Sequence, residues 1–205
     1  MKLWEIIGEL HAIFNPKIAE NWDNVGLLVG DNTKEVNKVL FCLDVTEKVV
    51  KQAVDNNVDL IISHHPVIFS GLKKITNETV HGRKLLKLIE NKIAVYSIHT
   101  NSDFAINGLN DFIMDKLNLD GEKIIFNEHE FEDYNPIKNK VERVHSGLAR
   151  IKILNEEMRL EDLLERIKNS LGISYVRYVG NKDAYVRKIG LVTGGGSSFL
   201  HDVAD

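Results

Sequence analysis

Several protein classes are excluded by what this sequence has little of. A single cysteine, Cys42, cannot form a disulfide within the chain and suits a reducing compartment. It sits in the apolar run Val39-Leu40-Phe41-Cys42-Leu43, which points to buried packing rather than reactivity. Basic residues are in deficit. The 26 Lys and Arg against 30 Asp and Glu give a formal charge of −4, which argues against a general nucleic-acid binder. Neither sign is gathered into a long tail. No apolar run is long enough to span a bilayer, and Met1-Lys2-Leu3-Trp4-Glu5 lacks the apolar core of a signal peptide. The expectation is a soluble cytoplasmic protein with no membrane partner. At 205 residues and 43% hydrophobic, the chain can bury a core sufficient for one large domain or two small ones.

The chain then shows a repeated pattern. An opening amphipathic segment carries Leu3, Ile6, Ile7, Leu10 and Phe14 at helical spacing and stops at Asn15-Pro16. A polar loop around Trp22 leads through Gly26 into a short strand, Leu27 to Val29; it reads as a structural turn or as a substrate-facing loop. From Val39 a strand-helix unit recurs. Strand Val39–Leu43 ends at Asp44-Val45-Thr46, strand Asp59–Ser63 at His64-His65-Pro66, and strand Ile93–Ile98 at His99-Thr100-Asn101-Ser102-Asp103. Helical patterns follow each strand. This alternation is the signature of a parallel sheet with right-handed crossovers.

In a parallel sheet the C-terminal ends of the strands share one edge, where open α/β sheets bind ligands. Asp44, His64, His65, His99 and Asp103 are therefore delivered to one rim. Neutral imidazole and carboxylate are the usual protein ligands of zinc, manganese or iron. Neighbouring residues of a regular strand point to opposite faces, so His64 and His65 can converge only if the chain leaves the strand. Pro66 forces that exit by keeping His65 out of the helical region. Asp44 has a second reading, because Asp-x-Thr at a strand end can also cap the following helix.

Residues 118–144 are polar and read as a surface connection, with His129 in a solvated acidic run. A second half follows: a strand over Leu148–Leu154, a helix over Glu157–Leu171 closed by Gly172, and strands over Tyr175–Val179 and Tyr185–Val192. The glycine-rich turn Thr193-Gly194-Gly195-Gly196-Ser197-Ser198 suits either an anion at a helix N-terminus or a tight turn. It matches neither the dinucleotide fingerprint nor the P-loop. Phe199, Leu200 and Val203 read as the start of an amphipathic helix. The fold class expected is α/β, two-lobed, with mixed and mostly parallel sheets flanked by helices. Its lobes are set at residues 1–125 and 126–205.

Taken together, Asn21-Trp22-Asp23-Asn24-Val25-Gly26-Leu27, Leu43-Asp44-Val45-Thr46, Ser63-His64-His65-Pro66, His99-Thr100-Asn101-Ser102-Asp103 and Gly194-Gly195-Gly196-Ser197-Ser198 resemble the type-two GTP cyclohydrolase I homologues, the NIF-three-like proteins. The resemblance covers essentially the whole chain. It implies a hexameric ring of three dimers and two divalent metal ions per subunit facing an interior cavity. It also implies His64, His65 and Asp103 as ligands, with Asp103 bridging the ions and His99 a nearby pocket residue rather than a firm ligand; an imidazole at that place makes His99 the candidate proton shuttle. Members of this family carry a further Gly-His-x-x-Ser/Thr-Glu ligand motif beyond the glycine-rich turn. The sequence to Asp205 has none, so the reading is of a chain lacking that segment and holding its second ion weakly.

The activity implied is metal-dependent hydrolysis of a nucleotide-like or phosphorylated small molecule. An Asp-His-His phosphoesterase is the lesser enzymatic reading, since Ser63 stands where its aspartate belongs. The alternative from another class is a non-catalytic, metal-binding oligomeric scaffold.

Overall fold

A computed structural model of the chain describes residues 1–199 and 201. The chain divides into two compact units: residues 1–102 with 131–144, and residues 103–130 with those described from 145 onward. The sequence reading sets a single cut at 125/126, whereas the observed division crosses the chain three times.

Unit 1 is built on the run Leu60-Ile61-Ile62, all three residues of which are buried. Helix α1 (Leu3–Ile13) comes first, then strand β1 (Gly26–Val29) and strand β2 (Val39–Cys42). Helix α2 (Glu47–Asp55), β3 (Leu60–Ser63), α3 (Val80–Glu90) and β4 (Ala94–Ser97) follow. The sheet order is β1-β4-β3-β2, with β2, β3 and β4 parallel and β1 antiparallel to β4. Alternation sends Ile61 and Val95 into one core with Val50, Leu85 and Leu88 of the crossover helices. Leu60, Ile62, Ala94 and Tyr96 enter another, covered by Leu3 and Ile7 of α1. A sheet covered on both faces needs apolar residues at consecutive positions, which explains why β3 reads as a continuous run. At the edge of this sheet Gly30 takes φ +123, and a Cβ there would lie 2.7 Å from that of Ala94.

The register decides what the sheet presents. Cys42 pairs with Ser63, and Ser63 with Ser97, so β2, β3 and β4 end level. Asp44, His64, His65 and His99 follow that line by one or two residues.

Residues 118–144 are not a surface connection. Strands β5 (Glu122–Asn135) and β6 (Lys140–Arg159) are hydrogen-bonded neighbours joined by four residues, which only an antiparallel hairpin allows. Both faces of β5 are largely exposed, so it carries no alternating apolar signal. The tip, residues 131–144, belongs to unit 1. There the Asn135 side chain donates to the Gly8 carbonyl at 3.1 Å, and Lys138 pairs with Glu9 at 2.7 Å.

Unit 2 contains the last two residues of the short helix α4 (Thr100–Phe104), α5 (Leu109–Lys116), the remainder of β5 and β6, α6 (Leu160–Leu171) and β7 (Tyr185–Leu191). β7 pairs antiparallel with β6, whose register shifts between Ile153 and Met158. The apolar core is small: Met114, Leu117, Leu119, Leu154 and Leu163. Beside it Arg150, fully buried, donates to Asp111 at 2.8 Å and to the carbonyls of Ala105, Gly147 and Ala149. Burial acts to raise the Asp111 carboxyl, but hydrogen bonds from Arg150 and Lys123 outweigh it and hold the group below its ordinary value.

Residues 175–179 form no strand, although their composition favours one. They have no partner strand among the described residues, and Val179 is 99% exposed. The glycine-rich segment ends in a 3-10 turn, Gly196–Phe199. The helix expected over Phe199, Leu200 and Val203 falls largely outside the described residues.

Candidate metal centre

β3 stops at Ser63, and the chain bends at His64 and His65. The Ser63 hydroxyl donates to the His65 carbonyl at 2.9 Å and also lies 2.9 Å from the Ser97 hydroxyl. Leaving the strand brings the two imidazoles to one side. Ring centroids are 5.1 Å apart for His64 and His65, 5.1 Å for His64 and His99, and 5.5 Å for His65 and His99. One ring nitrogen from each lies within 4.8 Å of the others, a group that could hold a metal ion.

Each ring has a partner at Nδ1. His65 Nδ1 is 2.8 Å from Asp44 Oδ1, and His99 Nδ1 is 2.8 Å from Asp23 Oδ1. His64 Nδ1 faces the Ser102 hydroxyl at 3.4 Å. The Asp23 side chain is fully buried, and its Oδ2 accepts from the Thr100 amide at 3.1 Å and the Thr100 hydroxyl at 2.6 Å. Burial acts to raise the Asp23 carboxyl. The hydrogen bonds from Thr100, His99 and Asn24 together override it and hold the group below its ordinary value. An ionised carboxylate can only accept, so the proton of neutral His99 is on Nδ1 and Nε2 offers its lone pair. Carboxylate-held imidazoles are the arrangement that orients histidine ligands around metals. The donor set therefore fits a divalent transition ion.

Thr46, not Asp44, caps α2: its hydroxyl accepts from the Val49 amide at 3.2 Å. Asp44 is thereby left to hold His65. Asp103 lies on α4 in unit 2, where it is buried and its Oδ1 accepts from the Thr193 hydroxyl at 2.9 Å. The glycine-rich turn thus starts beside Asp103. The sequence reading missed Asp23 as a partner of His99. Asp23 lies in the polar loop before β1, and only the direction of β1 brings that loop to the rim. Because β1 runs antiparallel to β4, with Gly26 opposite Ser97, the residues preceding β1 arrive at the same rim as those following the parallel strands.

A family model for Duf34/NIF3 (NGG1p interacting factor 3) matches residues 1–205. The chain belongs to the Duf34/NIF3 family. It is 38% identical over 202 residues to a Clostridium perfringens GTP cyclohydrolase 1 type 2 homolog, covering 98% of this chain and 72% of the relative. It is 35% identical over 185 residues to the Clostridium acetobutylicum homolog of the same name, covering 90% of this chain and 65% of that one. The chain thus spans about two thirds to three quarters of the length of these relatives. A Staphylococcus aureus hypothetical protein of known crystal structure superposes with a TM-score of 0.83 at 29% identity, over 100% of this chain and 75% of that one. This is the Duf34/NIF3 membership to which the five motifs point, and the α/β fold is that of its structural neighbours. Among the described residues, no helix is long and apolar enough to cross a membrane.

Proposed function

We propose that this Duf34/NIF3 chain binds divalent metal at His64 and His65, beside His99, and serves as a hydrolase acting on a nucleotide-like or phosphorylated small molecule. The observation that carries the reading is the pair of carboxylate–imidazole contacts, Asp44 to His65 and Asp23 to His99. They orient His65 and His99 through Nδ1, so that each would meet an ion through Nε2. A divalent ion there, whether zinc, iron or manganese, supplies Lewis acidity and brings the pKa of water toward neutrality. His64 and His65 act as ligands, and Asp103 keeps the ligand role that the family resemblance implies. His99, with its Nδ1 proton held by Asp23, presents Nε2 as the proton acceptor of the site. Two ions per subunit, a homohexameric ring and a cytoplasmic location belong to the same reading, the last supported by the single cysteine.

The test is elemental analysis together with a hydrolase screen on nucleotides and phosphoesters. The purified protein is expected to carry divalent metal, with His64→Ala losing both metal and turnover. Stoichiometric metal with no turnover on any of these compounds would sink the enzymatic half. The second reading, a non-catalytic metal-binding scaffold, is favoured by the apolar face of edge strand β2, where Phe41 is 73% exposed.

A further inference from the structure

Beside the histidine cluster stand two large aromatic side chains that the core does not use. Trp22 is 59% exposed and Phe69 is 52% exposed. Their ring centroids are 6.0 Å apart, and the Trp22 ring stands edge-on to His99 at 6.2 Å. Both spacings lie within the range of genuine aromatic contacts. The loops carrying these rings are pinned. Asp23, next to Trp22, is fastened to His99 and Thr100. Asn24 Nδ2 donates to the carbonyl of Ile68, the residue before Phe69, at 2.6 Å. Hydrogen bonds therefore hold the backbone beside each ring while more than half of each side chain stays exposed. An exposed apolar group held in place beside a polar cluster is the informative kind of exposure.

We propose that Trp22 and Phe69 form a stacking platform for the planar heteroaromatic ring of the small molecule on which the histidine cluster acts. The inference rests on the proposed function and adds the part of the substrate that confers recognition. A planar ring stacked on the indole would lie close to His99, whose ring centroid is 6.2 Å from that of Trp22. A purely aliphatic phosphate would leave both aromatic faces in water. Stacking tolerates different ring types, so the platform selects planarity rather than one base.

The test uses the intact, metal-free chain carrying Trp4→Phe, which leaves Trp22 as the sole tryptophan of the two. Guanosine monophosphate is expected to quench Trp22 fluorescence saturably, and ribose 5-phosphate to leave it unchanged. By calorimetry with Trp4 retained, Trp22→Ala should weaken guanosine monophosphate binding by about tenfold to a hundredfold. Trp22→Phe should restore most of it, and Phe69→Ala should cost less. The platform is overturned if quenching is absent, if ribose 5-phosphate quenches equally, or if Trp22→Ala binds as tightly as the parent. A change in oligomeric state in Trp22→Ala with unchanged nucleotide binding also overturns it, assigning the patch to a protein contact. Zinc content measured in parallel separates the two readings. A parent that holds zinc but ignores the nucleotide loses the platform and keeps the metal site, whereas the reverse loses the metal site and keeps the platform.

Discussion

Unit 1 and unit 2 bury different kinds of interior. Unit 1 sandwiches a sheet between helices, with Leu60, Ile61, Leu85 and Leu88 wholly or almost wholly buried in its two apolar cores. Unit 2 has a smaller apolar core and places the Arg150–Asp111 pair at its centre. Apolar burial is non-directional and tolerates some repacking. A buried ion pair is stable only while both partners and their hydrogen bonds are present. The comparison teaches that unit 1 is robust enough to hold a rim of polar side chains in fixed positions, whereas unit 2 depends on a few directional contacts.

The largest expected effect therefore comes from unit 2. Asp111→Asn leaves Arg150 buried without a counter-charge and should destabilise the protein by about 3–5 kcal/mol, read from urea unfolding. A loss under 1 kcal/mol would mean that the surrounding carbonyls suffice. Leu88→Ala in unit 1 should cost about 2–5 kcal/mol in the same assay, through lost transfer energy and the cavity left behind. If Leu88→Ala cost the more of the two, the ranking of the interiors would be reversed.

Acid sharpens the contrast. The folded Asp111 carboxyl is depressed, so its stabilisation is complete above the unfolded value of about 3.9 and is lost as pH falls through the folded value. The unfolding midpoint of the wild type should thus lead that of Asp111→Asn at pH 7 and converge on it below about pH 4. A gap independent of pH would argue against an ionised pair.

At the rim the expected effects are smaller and concern metal rather than fold. Asp23→Asn should weaken zinc binding about 10- to 100-fold by calorimetry while the far-ultraviolet spectrum is retained. Asp44→Asn should weaken it less, because Asp44 is exposed and water can replace it beside His65. Equal losses would show that burial of the carboxylate is immaterial. Smallest of all, Val179→Ala should change stability by no more than about 0.5 kcal/mol, since that side chain touches little.

The parallel part of unit 1 is legible in the sequence because each strand is an apolar run, although only β3 and β4 are buried on both faces. The level ends of those strands are a consequence of topology, so Asp44, His64, His65 and His99 are legible as rim residues too. Asp23 is not, because the direction of β1 has no local signature; only pairing with β4 sets it. The β5–β6 hairpin is hidden for a different reason. Its residues face water on both sides, and without a buried face the period-two pattern vanishes. The stretch 175–179 misleads in the opposite sense, with β-prone residues that pair with no strand among the described residues. The family was legible from the motifs in combination, because each alone is a common turn or strand ending.

The returning tip of that hairpin governs how unit 1 can come together. Asn135 reaches the Gly8 carbonyl, and Asp133 reaches Asn15 and Lys17, across 116 to 127 residues of chain. Closing so long a loop costs entropy before any contact repays it. A fragment ending before residue 131 would lack the groups that satisfy this end of α1. During synthesis, α1 leaves the ribosome more than 110 residues before these partners do.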